Sequence, residues 1–371
     1  MTPESEDALV DQIRAASGPL AIKGGGTRGM DAVGDIVSAR KLSGVSLYEP
    51  GALTLVAGAG TPVRDVIATL AEHNQRLAFE PMDHCGLLGT TGVPTLGGIV
   101  SGNISGPRRI SVGAARDFVL GVRFVDGAGN LVKNGGRVMK NVTGYDLVKL
   151  MSGAWGTLGV LTEVSLKVLP MPEMANTVSV EAADPVDAVA VMTRAMASPY
   201  DVSGAAFDPQ MGRVSLRVEG FEEAVRTRSA DLARHLKRDI QMIGADATEA
   251  LWQGIRDVTP FHGADGDVWR VSVKPTDGPA VIAAAQAEAT LMDWSGGLVW
   301  LRVAPGTDLR ARMSGISGHA TLVRGSAETK ARLGVFEPEP AGLAALTAGL
   351  RAKFDPREIL NPGLMATAQV A

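Results

Sequence analysis

The sequence predicts an α+β protein built from two domains. Helical and strand-like patterns alternate along all 371 residues, and no internal repeat or low-complexity tract interrupts them. More than half of the 45 glycines lie before residue 170, in less than half of the chain. Pro170-Met171-Pro172 then has the composition of a linker. We therefore expect one domain over residues 1–171 and a second over 172–340.

The first domain is expected to begin with a helix. Thr2 can cap it, Pro3 suits its first turn, and apolar residues then recur at helical spacing. Thr61, followed by Pro62, predicts the start of another helix over about 62–73. The other expected elements are strands at about 19–22, 45–48, 53–57, 118–125, 130–133 and 158–169, and a helix at 145–151.

In the second domain helices and strands are expected to alternate more regularly. This pattern favours one antiparallel sheet with helices on one side. The expected helices are at about 185–197, 221–238, 247–257 and 278–291, and the expected strands at about 176–182, 213–218, 268–273 and 298–304. Residues 341–371 are expected to form a helix and then a turn at Asn361-Pro362-Gly363.

Charge and composition exclude several classes of function. The net charge of −4 gives no basic surface of the kind that nucleic-acid-binding proteins carry. No apolar run approaches the roughly 18 residues of a transmembrane helix, and the acidic stretch at residues 1–7 is not a signal peptide. We expect a cytoplasmic protein that reaches a membrane only through partner proteins.

Cys85 is the single cysteine, so the chain can form no internal disulfide. An iron–sulfur cluster needs about four thiolates, and this chain cannot supply them. If it carries a redox cofactor, the electrons must leave to oxygen, to a soluble carrier, or to a cluster on another polypeptide.

The most informative segment is the glycine-rich run over residues 95–121. Six glycines among small polar residues let the main chain approach a ligand and direct N–H groups at an anion such as a pyrophosphate. Another glycine-rich loop, 24–29, follows a predicted strand and lacks the Lys-Ser/Thr ending of a P-loop. Gly58-Ala59-Gly60 is not a Rossmann fingerprint, because Val63 stands where the third glycine is required.

Four segments in order resemble the flavoproteins related to vanillyl-alcohol oxidase and p-cresol methylhydroxylase. They are residues 22–29 and 95–121, which resemble the two pyrophosphate-binding segments of that family, 153–163, which resembles its adenosine-contacting segment, and 354–363, which resembles its C-terminal return to the flavin. The resemblance implies a two-lobed FAD-binding domain of the p-cresol methylhydroxylase type over 1–171, an α+β cap domain over 172–340, and a segment 341–371 that returns to the first domain. Thr27 stands where covalent relatives carry histidine, and His84-Cys85 lies upstream of the second loop, so we expect non-covalent FAD.

The same resemblance implies the residues that hold FAD. The expected cofactor-binding residues are Lys23, Gly24, Gly25, Gly26, Thr27, Arg28, Gly29, Pro81, Thr95, Gly97, Gly98, Ser101, Gly102, Asn103, Gly106, Gly113, Val160 and Asn361.

Within this superfamily the chain looks like the FAD-binding E subunits of bacterial glycolate oxidases. The segments that carry this closer resemblance are 106–109, 116–121, 138–147, 269–272 and 318–321. It implies a complex in which a larger flavin subunit, this subunit and an iron–sulfur subunit oxidise glycolate to glyoxylate. Such a complex would lie in the cytoplasm, peripheral at the inner membrane through its partner subunits.

Oxidation of a 2-hydroxy acid at a flavin requires a cation for the carboxylate and a base for the hydroxyl group. Arg270 and Arg302 are the expected cations and His319 the expected base. Each arginine follows a tryptophan on an apolar strand, so we expect tryptophan and arginine to face opposite sides of the sheet. A solvated polar face and a structural histidine are the alternatives. The spacing of the five histidines predicts no metal site.

Two departures from the superfamily keep other functions open. Leu364 follows Asn361-Pro362-Gly363, where many relatives place a lysine or arginine. The histidine-rich metal motif of related D-2-hydroxyacid dehydrogenases is missing. The alternatives are a flavin-containing assembly subunit without turnover of its own, and a stand-alone FAD oxidase of another small alcohol.

Overall fold

The computed structural model describes residues 1–29, 32–136 and 144–365. Residues 138–143 of the expected 138–147 match, and residues 366–371 of the C-terminal segment, lie outside the described part. The chain divides into two compact units. The first comprises Met1–Ser105, Ala114–Met171 and the described residues 338–365; the second comprises Pro172–Glu337 together with Gly106–Gly113. Part of the glycine-rich run therefore belongs to the second unit.

Up to residue 171 the described chain is made of short helices and strands. The helices are α1 (Glu6–Ala15), α2 (Val63–Ala71), α3 (Cys85–Leu88), α4 (Leu96–Ser101), α5 (Arg109–Val112), α6 (Ala115–Phe118) and α7 (Leu147–Met151). The strands are β1 (Leu20–Lys23), β2 (Asp35–Ser38), β3 (Val45–Glu49), β4 (Thr54–Gly58), β5 (Gln75–Arg76), β6 (Val119–Val125), β7 (Leu131–Gly135), β8 (Val160–Lys167) and β9 (Leu169–Pro170).

The rest of the chain has longer elements. The helices are α8 (Pro185–Met196), α9 (Glu222–Leu236), α10 (Ala245–Asp257), α11 (Gly278–Ala285), α12 (Leu309–Arg312), α13 (Ala327–Leu333) and α14 (Ala341–Phe354). The strands are β10 (Met174–Glu181), β11 (Val202–Asp208), β12 (Arg213–Gly220), β13 (Ile240–Ile243), β14 (Asp267–Val273), β15 (Ala289–Asp293), β16 (Leu298–Val303) and β17 (Gly318–Arg324).

The described part of the first unit combines a large sheet, a small sheet formed by β1 and β2, and a short pair of strands, β5 and β9. Five antiparallel strands run in the order β3-β4-β8-β6-β7, and β1 pairs in parallel with β2. Leu20 also forms a parallel bridge to Leu360, so the C-terminal segment extends the small sheet. Ile13, Leu20 and Leu360 are buried in one cluster, which joins α1, β1 and the C-terminal segment.

The second unit is built on one antiparallel sheet in the order β13-β10-β12-β11-β15-β16-β14-β17. One face forms the core, where Val271, Leu301 and Leu322 are buried with residues of α8, α9, α11 and α12. The expected antiparallel sheet is confirmed, but its helices do not all lie on one side. The α10 side chain Trp252 donates from Nε1 to Thr177 Oγ1 at 2.9 Å, on the face opposite the core.

Several element boundaries differ from the predictions. Helix α1 begins at Glu6, with the Ser5 hydroxyl accepting from the Ala8 N–H, rather than at Thr2 and Pro3. Thr61 does not cap α2; its hydroxyl donates to the Gly58 carbonyl at 2.7 Å. The helix predicted over 278–291 ends at Ala285, because Gln286 has a left-handed φ of 49°, and β15 follows.

Candidate functional site

A cleft in the first unit opens above the loop that follows β1. It encloses about 750 Å³, including space open to solvent. Its lining residues are Ile22, Lys23, Gly24, Gly25, Gly26, Thr27, Arg28, Gly29, Ala32, Thr95, Gly98, Ser101, Trp155, Asn361 and Leu364. A neighbouring hollow shares Lys23, Gly24, Thr95, Gly98 and Ser101 and continues over Gly97, Gly156, Gly159, Val160, Leu161, Ala39 and Ala59. The two loops expected to bind pyrophosphate therefore meet in one place.

Glycine is required where these two loops touch. A Cβ on Gly25 would lie 1.5 Å from the Val93 carbonyl oxygen, and one on Gly24 would lie 2.6 Å from Thr95 Oγ1. Gly97 is confined by another neighbour, since its Cβ would lie 2.7 Å from Ala59 Cβ. Bare main chain on both sides is the surface that a pyrophosphate needs for close N–H contacts.

Arg28 supplies a cation to this cleft. Its Nη1 donates to the Gly98 carbonyl, and its guanidinium carbon lies 5.8 Å from the centre of the Trp155 ring. Nε is buried and has no hydrogen-bond partner among the described residues. Burial lowers the pKa of Arg28 to about 10, and the charge of Asp83 partly offsets this effect. The guanidinium remains charged at pH 7 and can pair with a phosphate oxygen.

Asn361 closes the cleft from the C-terminal side. Its Oδ1 accepts from the Ile22 N–H at 2.7 Å, and its Nδ2 donates to the Trp155 carbonyl at 2.8 Å. The buried side chain thereby connects the C-terminal turn to both β1 and the 153–163 segment. The bare main chain, the buried cation and this closure fit the pyrophosphate of FAD.

Some expected cofactor residues lie away from this lining. Pro81, Gly102 and Asn103 belong to the first unit but line neither hollow, and the Asn103 Oδ1 accepts from the Arg116 N–H at 3.0 Å. Gly106 and Gly113 belong to the second unit. Their roles as cofactor residues stay predictions.

Other lining residues were not among the expected ones. Trp155, Gly156, Gly159 and Leu161 lie within the 153–163 segment, whose resemblance to an adenosine-contacting segment was the available signal. Ala39 and Ala59 carry no chemical signal in the sequence, since only the fold brings them to the hollow.

The expected substrate residues share one face of the second-unit sheet. Arg270 on β14 lies opposite Trp300 on β16 and Thr321 on β17. Arg302 is two residues from Trp300, and His319 is two residues from Thr321, so each is a diagonal neighbour of Arg270. Diagonal neighbours in an antiparallel sheet are about 7–8 Å apart. Arg270 therefore lies between the other two, on the face opposite the core.

The three side chains have different surroundings. Arg270 is half-buried, lies 5.0 Å from the centre of the Trp294 ring, and has a pKa lowered to about 10, mainly by burial and secondarily by Arg109. Arg302 donates to the Asp265 carbonyl at 2.8 Å and to Glu288 at 2.7 Å. His319 is exposed on the edge strand β17.

One orientation predicted from the sequence is wrong. Arg270 follows Trp269 directly, and the two do face opposite sides, with Trp269 in the core. Arg302, however, is two residues after Trp300. Side chains alternate along a strand, so Trp300 and Arg302 share a face.

Fold and site together define an FAD-binding flavoprotein of the p-cresol methylhydroxylase type. A family model described as an FAD binding domain matches residues 1–135. The solved structure of an alkyldihydroxyacetonephosphate synthase superposes with a TM-score of 0.71, covering 98% of this chain and 76% of that chain at 15% identity. That likeness supports the fold alone.

Sequence comparison identifies the family more closely. The chain is 35% identical over 367 residues to the glycolate oxidase subunit GlcE of Escherichia coli (strain K12), covering 96% of each protein. It is also 40% identical over 85 residues to the glycolate oxidase subunit GlcD of Bacillus subtilis (strain 168), or 23% of this chain and 18% of that protein. The chain belongs to the GlcE family of FAD-dependent oxidoreductases. No helix in the described part of the chain is long and apolar enough to cross a membrane.

Proposed function

We propose that this chain is the FAD-binding subunit of a complex that oxidises glycolate to glyoxylate. The observation that carries the proposal is the 35% identity to GlcE over 96% of both chains, together with a cleft suited to FAD. Bound FAD supplies the two-electron acceptor for the carbon–hydrogen bond that is broken. Glycolate loses two electrons and two protons in becoming glyoxylate.

The residues of the first unit would hold the cofactor. Loop 24–29 and the main chain from Thr95 to Gly98 would contact the pyrophosphate, and Arg28 would offset its negative charge. The 156–161 stretch would contact the adenosine end. The attachment is proposed to be non-covalent.

The residues of the second unit would bind and orient the substrate. Arg270 would hold the carboxylate through the paired N–H groups of its guanidinium. His319 would accept the hydroxyl proton, and Arg302 would add positive charge on the same face of the sheet.

The electrons would leave through other polypeptides. GlcE and GlcD are both named as glycolate oxidase subunits, which supports an assembly of this chain with a larger flavin subunit. With Cys85 as its single cysteine, the chain needs an iron–sulfur partner to carry the electrons onward through a cluster. The proposed complex attaches to the membrane only through those partners.

A second candidate function is a flavin-containing assembly or electron-relay subunit. Two observations favour this candidate. Arg302 is already bonded to Glu288 and to the Asp265 carbonyl, and Leu364 lines the cleft where a cation would be expected. The visible spectrum of the purified chain, recorded anaerobically before and after addition of glycolate, separates the two. Bleaching of the flavin bands supports oxidation by this chain. Bands that persist support the second candidate, and a purified chain without flavin contradicts both.

A further inference from the structure

The segment Gly106–Gly113 brings a second arginine to the substrate-side face of the sheet. Helix α5 lies within this segment and packs on β11 and on the turn between β15 and β16. Its first residue, Arg109, has its guanidinium carbon 4.7 Å from the centre of the Trp294 ring, and that of Arg270 is 5.0 Å from the same point. Since 4.7 and 5.0 Å add to 9.7 Å, the two guanidinium groups can be no farther apart than that.

Trp294 is held firmly between the strands. Its indole Nε1 donates to the Gly106 carbonyl at 3.0 Å, and its backbone N–H donates to Asp293 at 2.7 Å. The turn contains three consecutive residues of positive φ, namely Trp294 (50°), Ser295 (58°) and Gly296 (98°). Left-handed conformations are unfavourable for non-glycine residues and cluster at functional sites. The turn thus fixes the ring that both arginines contact.

Arg270 has no hydrogen bond and no ion pair with any residue in the described ranges. By contrast, Arg108 on the same segment is paired with Glu219, which is also 3.5 Å from Arg217. Arg109, Arg270 and Asp293 carry a net charge of +1 between them. A half-buried guanidinium without a partner, beside another cation, favours the binding of an anion.

We propose that Arg109, Arg270 and Trp294 form a binding site in the second unit for a small carboxylate anion. Arg270 donates its paired N–H groups to the carboxylate, Arg109 adds the second charge, and Trp294 holds both guanidinium groups in place. The inference deepens the proposed function, because this site would select the carboxylate end of the hydroxy acid.

Calorimetric titration of the FAD-loaded chain with acetate tests the site without turnover, since acetate has no hydroxyl group to oxidise. Neutral acetamide has the same shape and should not bind. We expect Arg270→Met to weaken acetate binding about 10- to 100-fold and Arg109→Met about tenfold, because each loses a charged contact. Arg270→Lys keeps the positive charge but loses the paired N–H groups of the guanidinium. Its acetate affinity should therefore lie between those of Arg270→Met and the native chain.

Arg213→Met is the matched control. Arg213 lies on β12 of the same sheet and is already bonded to Ser179 and Glu181, so acetate should bind this variant as it binds the native chain. Because Arg270 lacks a bonding partner in the described chain, Arg270→Met should keep or raise the melting temperature while losing affinity.

Equal binding of acetamide and acetate, or native acetate affinity in both methionine variants, overturns the inference. A lower melting temperature of Arg270→Met with unchanged affinity also overturns it, because Arg270 is then structural. The inference and the proposed function can fail separately. If acetate binds but glycolate does not bleach the flavin, the carboxylate site stands and the proposed oxidation by this chain fails. If glycolate still bleaches the flavin of Arg270→Met, the oxidation stands and the carboxylate site fails.

Discussion

At the scale of single residues, Gly25 is the most confined glycine of the cleft proposed to bind FAD. The Cβ of an alanine would lie 1.5 Å from the Val93 carbonyl oxygen, so one of the two loops would have to move. We expect Gly25→Ala to destabilise the protein by about 3 kcal/mol and to release most of the FAD. The flavin-to-protein absorbance ratio and the urea midpoint measure both effects.

Gly342→Ala is the matched control for this substitution. Gly342 lies in α14 with no other atom within 4 Å of the added Cβ, and alanine favours the helix by about 0.5–1 kcal/mol. Its flavin content should be native and its urea midpoint slightly higher. Full flavin occupancy in Gly25→Ala would contradict the close contact described between the two loops.

Arg28 illustrates a residue that we propose serves the ligand and not the fold. Folding lowers its pKa to about 10, so the buried cation opposes folding below pH 10. Its unfavourable effect shrinks as the pH rises above 10 towards the higher pKa of the unfolded chain. At pH 7 the unfavourable effect is fully present. We expect Arg28→Met to leave the melting temperature of the flavin-free protein equal or higher and to weaken FAD binding about 10- to 100-fold.

Fluorescence titration with FAD and thermal unfolding of the flavin-free protein check the two halves of this prediction. A variant that binds FAD normally would show that Arg28 serves the fold through its bond to the Gly98 carbonyl.

At the scale of elements, the sequence predicted best where hydrophobic periodicity was long. Strands β4, β6, β8 and β14 and helices α8, α9 and α10 appear close to their expected positions. Several other strands were missed, namely β2, β11, β13, β15 and β17. Strand β11, Val-Ser-Gly-Ala-Ala-Phe-Asp, has low strand propensity and is stabilised by pairing with β12 and β15.

The glycine-rich run shows a second limit of sequence reasoning. Its composition indicated a loop that approaches an anion, yet the structure folds it into α4, α5 and α6. Only tertiary contacts separate Thr95–Ser101, at the cleft, from Gly106–Gly113, in the second unit. No local property of the sequence distinguishes the two halves.

At the scale of the whole molecule, strand register decides which side chains can act together. Arg270, Arg302 and His319 were chosen one by one for their chemistry, whereas their common face follows from the pairing of β14 with β16 and β17. Arg109 could not be predicted as their neighbour, because 161 residues separate it from Arg270 in the sequence. Long-range contacts of this kind are set by the fold and not by local pattern.

The closure of the first unit by its C-terminal segment can be tested with two asparagines of left-handed φ. Asn361 has φ of 45° and Asn74 has φ of 52°, and glycine tolerates both conformations. Asn361→Gly removes the bonds to the Ile22 N–H and the Trp155 carbonyl, so we expect a loss of about 2–3 kcal/mol in the free energy of unfolding and reduced flavin content.

Asn74→Gly should change the free energy of unfolding by less than about 0.5 kcal/mol, because the Asn74 side chain is exposed. Urea titration of both variants measures the difference. Equal stability of the two variants would mean that the C-terminal turn contributes nothing to the first unit.

The position of Asn361 in the sequence also determines when the cleft is completed during synthesis of the chain. Leu360 extends the small sheet and Asn361 lines the cleft proposed to bind FAD, yet both are synthesised after the whole of Pro172–Glu337. When loops 24–29 and 95–98 have left the ribosome, Asn361 has not yet been synthesised, so the cleft still lacks one wall. Capture of the flavin by the complete cleft therefore follows the synthesis of the second unit.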